Sequence, residues 1–185
     1  AAPGQFQQSS SGNLIWPTTP QILMQYVANV FHAQGLAVQS DSDMQAAEYG
    51  KLLLNLNNAL NAISDLPLRQ QLLHRDWRRL LAASMREWLA ICDKEQVTPR
   101  QYTSVSPGIL PWVLNLPDWL FRRLASRMLR IDPEARLSMY QDLLQGRRTE
   151  IMFLKGAVVA LGQRYGIATP VNQAIVDWIH QYEAG

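Results

Sequence analysis

Between Gly50 and Gly108 the chain contains no glycine, and the stretch is dominated by Leu, Ala, Asn, Gln and Arg. Tight reversals between strands need residues that accept positive φ, so such a run leaves no room for frequent β-turns and favours helix. Hydrophobic residues make up 48% of the 185 and charged residues 17%. A sizeable core is therefore possible and wholesale disorder is excluded. The length fits one ordinary domain, or one domain and a remnant of another.

Residues 1–19 differ from the rest, being rich in Ser, Gln, Gly and Pro with one apolar run at Leu14-Ile15-Trp16. They are expected to be a linker or the end of an upstream domain. The chain opens on Ala1 rather than Met, which suggests a fragment or a processed product. Residues 20–185 read as helices. Thr19-Pro20 gives a cap and a first-turn proline, and Ile22, Leu23, Tyr26, Val27, Val30 and Phe31 follow at helical spacing. Gly35 stops that helix, and residues 36–39 could form one short strand. A helix is expected over about 42–63, capped by Asp41 or Ser42. Pro67 opens another, with Leu72, Leu73, Leu80, Leu81, Met85, Trp88 and Leu89 opposite Arg75, Arg79 and Arg86. Pro99, Pro107, Pro111 and Pro117 break the chain before a helix over 118–128. A further long helix is expected over 136–164, bent at Gly146, and Thr169-Pro170 starts a last one. The predicted architecture is all-α, a bundle of long packed helices.

Several functions are poorly supported. The three histidines lie far apart, without metal-ligand spacing, so no metal site is predicted. The lone Cys92 rules out an internal disulfide and suits a reducing cytosol and a place in the core. No apolar run approaches a membrane span of about 20 residues. Fourteen arginines interleave with tryptophans, but Asp76, Glu87, Asp118, Asp132, Glu134 and Asp142 are mixed among them. That pattern describes ion-paired helix surfaces better than a nucleic-acid groove. No glycine-rich phosphate loop is present.

The chemistry candidates are few. On one helix Lys51, Asn55 and Asn58 would share a face, with the asparagines roughly 40° and 20° from the lysine. A cation and two amides in one stripe can hold a carboxylate or polarise a carbonyl, and partial burial would lower the lysine pKa. A solvated stripe explains the same pattern, and Asn57 and Asn61 scatter polarity around the helix. Ser138 and Gln141 fit a capping box. Glu150 fits a surface carboxylate paired with Arg147 or Arg148.

The run from Tyr49 through Lys51 to Asn55, followed by Asn58-Ala59-Leu60-Asn61-Ala62, resembles the start of the helical C-terminal domain of the ketopantoate reductases. Leu137 to Asp142, then Gly146 to Ile151, Gly156, Gly166-Ile167 and Thr169-Pro170-Val171-Asn172, continue the resemblance in order. It covers roughly residues 22 to 180. It implies a helical bundle like the 6-phosphogluconate dehydrogenase C-terminal-like domain, with the N-terminal Rossmann domain missing and residues 1–19 as its last part. It also implies NADPH-dependent reduction of 2-dehydropantoate to pantoate in the cytoplasm, on the route to pantothenate. Lys51 would donate the proton. Asn55, Asn58 and Ser138 would bind the 2-oxo acid, and Glu150 would lie near the cofactor. NADPH would be held mainly by the missing domain. Neither nucleic acid nor membrane would be a partner, and a homodimer could form through the helices. There are three departures from the family pattern: Asn58 lies one residue nearer Lys51, Leu68 follows Pro67, and Met152 and Lys155 replace an acidic residue and an asparagine. A related 2-oxo acid reductase and a helical, arginine-rich interaction module are the alternatives.

Overall fold

The computed structural model describes residues 14–18, 21–36, 38–126, 129 and 132–184, which form two compact units, 1–45 and 46–185. The expected tail at 1–13 and the Thr19-Pro20 cap lie outside the described residues.

In the first unit β1 (Leu14–Pro17) and β2 (Val38–Asp41) pair in parallel, in register from Leu14 opposite Val38 to Pro17 opposite Asp41. The helix α1 (Gln21–Ala33) connects them. A parallel pair requires such a crossover. Trp16 meets Phe31 at 6.3 Å between ring centres. The short strand expected near 36–39 is thus present, but its partner was hidden in the apolar run at 14–16. The unit runs to Gln45, with β2 paired to β1 and α1 in contact with β2. Ile22 and Tyr26 of α1, expected on an apolar face, are exposed.

The second unit is a helical bundle: α2 (Met44–Asn55, which begins just before the division), α3 (Asn57–Ser64), α4 (Leu68–Leu73), α5 (Arg75–Glu95), α6 (Leu110–Asn115), α7 (Asp118–Leu124), α8 (Ser138–Leu144), α9 (Ile151–Tyr165) and α10 (Pro170–Ala184). The helix α5 runs through its centre, touching α3, α4, α6, α9 and α10. Trp88 on α5 is fully buried, packs at a tilt against the Tyr49 ring with centres 4.7 Å apart and donates from Nε1 to Tyr49 O at 3.1 Å. Cys92 is also buried, and burial, aided by Asp93, pushes its thiol up to about 12.

Three expected long helices are divided, each for a local reason. Residues 42–63 break at Leu56, whose φ −56° and ψ −21° remain helical, so the interruption is slight. The helix after Pro67 breaks at His74, which is extended (φ −89°, ψ 117°). There the Arg78 guanidinium takes the last carbonyls of α4, Leu72 O at 3.0 Å and Leu73 O at 3.1 Å. The expected 136–164 helix separates into α8 and α9, because Gly146 adopts φ +61° and closes α8. Only Gly can take that conformation without strain. Within the apolar set expected on α5, Leu80 faces solvent, while Arg78 enters the core.

Candidate functional site

The position of α2 is fixed from both sides. Tyr49 is held by Trp88, and a Cβ built on Gly50 would come within 2.8 Å of Arg100 N and closer still to Arg100 O. Glycine is therefore required where the 97–103 segment crosses the helix, and Arg100 N donates to Ala46 O at 2.8 Å. Lys51 follows on the outer side. It is exposed rather than partly buried, and it makes no hydrogen bond or ion pair with any described residue. Asn55, half-buried at the end of α2, likewise has no side-chain partner among the described residues.

Four asparagines follow Lys51, and they divide into two kinds. Asn57 and Asn61 are committed to the fold. Gln71 Nε2 donates to Asn57 Oδ1 at 2.8 Å, and Asn61 Nδ2 donates to Gln71 Oε1 at 3.1 Å and to Leu66 O at 2.9 Å. Asn61 Oδ1 accepts from Leu137 N at 2.9 Å. Asn58 is different: the residue is 8% exposed, but its amide has no described partner and is not among the buried, unpartnered polar atoms, so it reaches solvent. A solvent-reaching amide with no protein partner is open to a ligand or to water. Lys51 and Asn58 lie on successive helices joined at Leu56, which keeps helical dihedrals and donates from its backbone N to Leu52 O at 3.0 Å.

The helix α3 packs on α8, which places Asn58 and Ser138 on neighbouring helices. The approach to Ser138 is anchored by three ties. Leu137 N reaches Asn61, Leu68 N donates to Ala135 O at 2.8 Å, and Arg136 pairs with Asp65 at 3.1 Å. Leu137, extended at φ −83° and ψ 161°, takes the cap position, so Ser138 becomes the first helical residue. The expected capping box is therefore absent, and the Ser138 hydroxyl is exposed without a described partner. Asn61 is the residue missed in the sequence. It looked like scattered polarity, but it carries the contact that sets where α8 begins.

Glu150 precedes α9 and is exposed. Its expected pairing with Arg147 does not form, since Arg147 Nη2 pairs with Asp142 at 2.6 Å. An open pocket of about 540 Å3 lies beside it, lined by Arg148, Thr149, Ile151, Met152, Phe153 and His180, with Glu183 and Ala184. Lys51, Asn55, Asn58 and Ser138 do not line this pocket, and no described hydrogen bond or ion pair joins Glu150 to them. Among the described residues no cluster of His, Cys, Asp and Glu could hold a metal, and no helix is long and apolar enough to cross a membrane.

Two buried cations, Arg78 and Lys155, are not among the expected site residues. Arg78 donates to Leu72 O, Leu73 O, Leu114 O and Leu116 O and to Asp118 Oδ1, and lies 4.2 Å from the Phe121 ring centre. Its hydrogen bond holds the Asp118 carboxyl below its ordinary value. Lys155 is buried on α9 among Ser84, Glu87 and Asn172. The signal available was weak: Arg78 is one of several basic residues in a polar helical run, and Lys155 is a lone cation in an apolar one.

A cation, two amides and a hydroxyl without described partners therefore lie on successive and packed helices. The chain is similar to known proteins in family and fold. The family described as "Ketopantoate reductase PanE/ApbA C terminal" matches residues 43–183. A 2-dehydropantoate 2-reductase of Vibrio cholerae is 27% identical over 159 residues, covering 85% of this chain and 48% of that protein. A PanE/ApbA family ketopantoate reductase of Ralstonia eutropha superposes with a TM-score of 0.72 at 25% identity, covering 94% of this chain and 53% of that one. D-mandelate dehydrogenase, solved with NADH and anilino(oxo)acetate, shares the fold at a TM-score of 0.70 and 19% identity, covering 94% and 68%. The chain belongs to the ketopantoate reductase family, an oxidoreductase family whose C-terminal helical domain it contains. It spans about half the length of the Vibrio and Ralstonia relatives.

Proposed function

We propose that this chain is the helical, substrate-binding half of an NADPH-dependent reductase that converts 2-dehydropantoate to pantoate. One observation supports this above the others. Lys51, Asn55, Asn58 and Ser138 have side chains without described partners, while Asn57, Asn61 and Gln71 between them are interlocked.

Reduction of a 2-oxo acid adds hydride to the carbonyl carbon and leaves negative charge on its oxygen. A nicotinamide cofactor, when bound, would supply that hydride. The Lys51 ammonium stabilises the developing charge and gives the oxygen its proton, completing the alcohol. Asn55, Asn58 and Ser138 hold the substrate's carboxylate and hydroxyl groups by hydrogen bonds. Glu150 is assigned to the cofactor's side, where a carboxylate accepts hydrogen bonds from hydroxyls.

The residues present do not fit the cofactor's pyrophosphate. The turn from β1 to α1 reads Pro17-Thr18-Thr19-Pro20, without glycine and with two residues that lack an N–H. A phosphate-binding turn needs free backbone amides and close approach. The β1–α1–β2 unit is therefore read as the end of a nucleotide-binding domain whose phosphate loop lies upstream. Calorimetric titration of the chain with NADPH tests this: no binding heat is expected, and low-micromolar affinity would show that the cofactor site is misplaced.

A second reading, a reductase of another 2-oxo acid, is favoured by the shorter Lys51-to-Asn58 spacing. In the two-domain protein, kcat/KM for 2-dehydropantoate against other branched 2-oxo acids decides between the two.

A further inference from the structure

The Lys155 cluster is used by neither the row on α2, α3 and α8 nor the pocket beside Glu150. Lys155 is wholly buried where α9 packs on α5 and α10. Its Nζ donates to Ser84 Oγ at 2.6 Å and to Asn172 Oδ1 at 3.1 Å, and Ser84 Oγ itself donates to Asn172 Oδ1 at 2.7 Å. Asn172 Nδ2 donates to Ser84 O at 3.1 Å and to Glu87 Oε2 at 2.6 Å. Glu87 also accepts from the backbone N–H groups of Val171 at 2.8 Å and Asn172 at 3.0 Å, so its carboxylate is engaged at the start of α10. Among the described residues Lys155 has no ion-pair partner; Asn172 stands between it and Glu87. Three helices thus meet on one amine, and a buried charge without a direct counter-charge is costly.

We propose that Lys155 is a positioning residue, a proton-operated latch that holds the Glu150-bearing start of α9 against α5 and α10. Glu150 lies five residues before it, about 7.5 Å along the axis. The consequence for Glu150 rests on its assignment to the cofactor's side; the latch itself needs only the contacts around Lys155.

The sign follows from burial. Burial pushes Lys155 down from 10.5 to about 7, opposed by Glu87. Any separation of α9 that wets the amine returns it to its ordinary value, so between those limits the open state binds more protons than the closed one. As pH rises from about 7 toward 10.5, opening therefore becomes rarer, by at most about tenfold per unit. Below about 7 both states carry the proton and the dependence fades. The groups facing Lys155 are the Glu87 carboxylate with the Ser84 hydroxyl from α5 and the Asn172 amide from α10. On α9 itself its neighbours one turn away, Ile151, Val158 and Val159, are apolar.

Amide hydrogen exchange of the chain from pH 6 to 9, corrected for base catalysis, reads the latch directly. The opening constant of amides around Lys155 and Asn172 should fall roughly fiftyfold between pH 7 and 9, while those of α6 and α7 show no such step. In Lys155→Met the step should vanish. A wild type without the step, a step shared by every helix, or one that persists in Lys155→Met overturns the proposal. Ser84→Ala carries the test if Lys155→Met does not fold. It removes an acceptor of the charged amine, so the step should move to lower pH, and an unmoved step overturns the latch. No substrate or cofactor is present, so the outcome is separate from the reductase reading. Glu150→Gln with normal kinetics in the two-domain protein would sink that assignment and leave the latch standing.

Discussion

Asn57, Asn61 and Gln71 bind one another and the backbone, whereas Asn55 and Asn58, on the same stretch of chain, bind no described residue. Arg78 belongs with the first group: its donors are distributed over four carbonyls and Asp118. The difference separates polar residues that define where helices begin and end from polar residues left for something else to bind. Both kinds lie on a leucine-rich amphipathic background, so residue type alone does not distinguish them. Partners do.

The comparison breaks most sharply at Lys51. In the two-domain protein Lys51→Ala should lower kcat by about a hundredfold to ten-thousandfold, the usual loss for one general acid. Cofactor affinity and melting temperature should stay near wild type, because the side chain is exposed and has no described partner to lose. Steady-state kinetics with a thermal scan checks both halves, and a variant with near-normal kcat removes Lys51 from the mechanism.

Arg78→Met should do the reverse, abolishing stability before activity. It leaves the carbonyls of Leu72, Leu73, Leu114 and Leu116 without their donor, and uncouples the ends of α4 and α6 from α5. Breaking a buried charged network in this way costs about 3–5 kcal/mol. Asp118 would lose the hydrogen bond that lowers its pKa, so its carboxyl should titrate at higher pH in the variant. Urea denaturation measures the first effect, and carboxyl NMR the second. A loss below about 1 kcal/mol would show that water replaces the guanidinium.

The all-α class was legible because the glycine-free run and the apolar periodicity of residues 44–95 agree with the helices that form there. The breaks at His74 and Gly146 were less legible. The first depends on an arginine four residues later taking carbonyls, and the second was read as a bend in one helix. The parallel pairing of β1 with β2 was not legible, since four residues on each side carry little pattern. At the candidate site, residue identity suggested Lys51, Asn55, Asn58, Ser138 and Glu150. Only partners across 10 to 76 residues of sequence reveal that Asn61 is a structural anchor. Lys155 read as a departure from the family, because burial is a property of three packed helices and not of one.

Asn61→Ala and Asn58→Ala form the smallest and most direct test of the comparison. Asn61→Ala strands Leu137 N–H, Leu66 O and a Gln71 oxygen inside the protein, so it should cost about 1–3 kcal/mol. Ser138 would lose its anchor at the same time, so binding of the 2-oxo acid should weaken along with the fold. Asn58→Ala removes an amide that stabilises nothing described. Its change in unfolding free energy should stay within about 0.5 kcal/mol, while KM for the 2-oxo acid rises roughly fivefold, the equivalent of one hydrogen bond of about 1 kcal/mol. Equal stability losses in the two variants would mean that Asn58 is as structural as Asn61. Its open amide would then say nothing about a substrate.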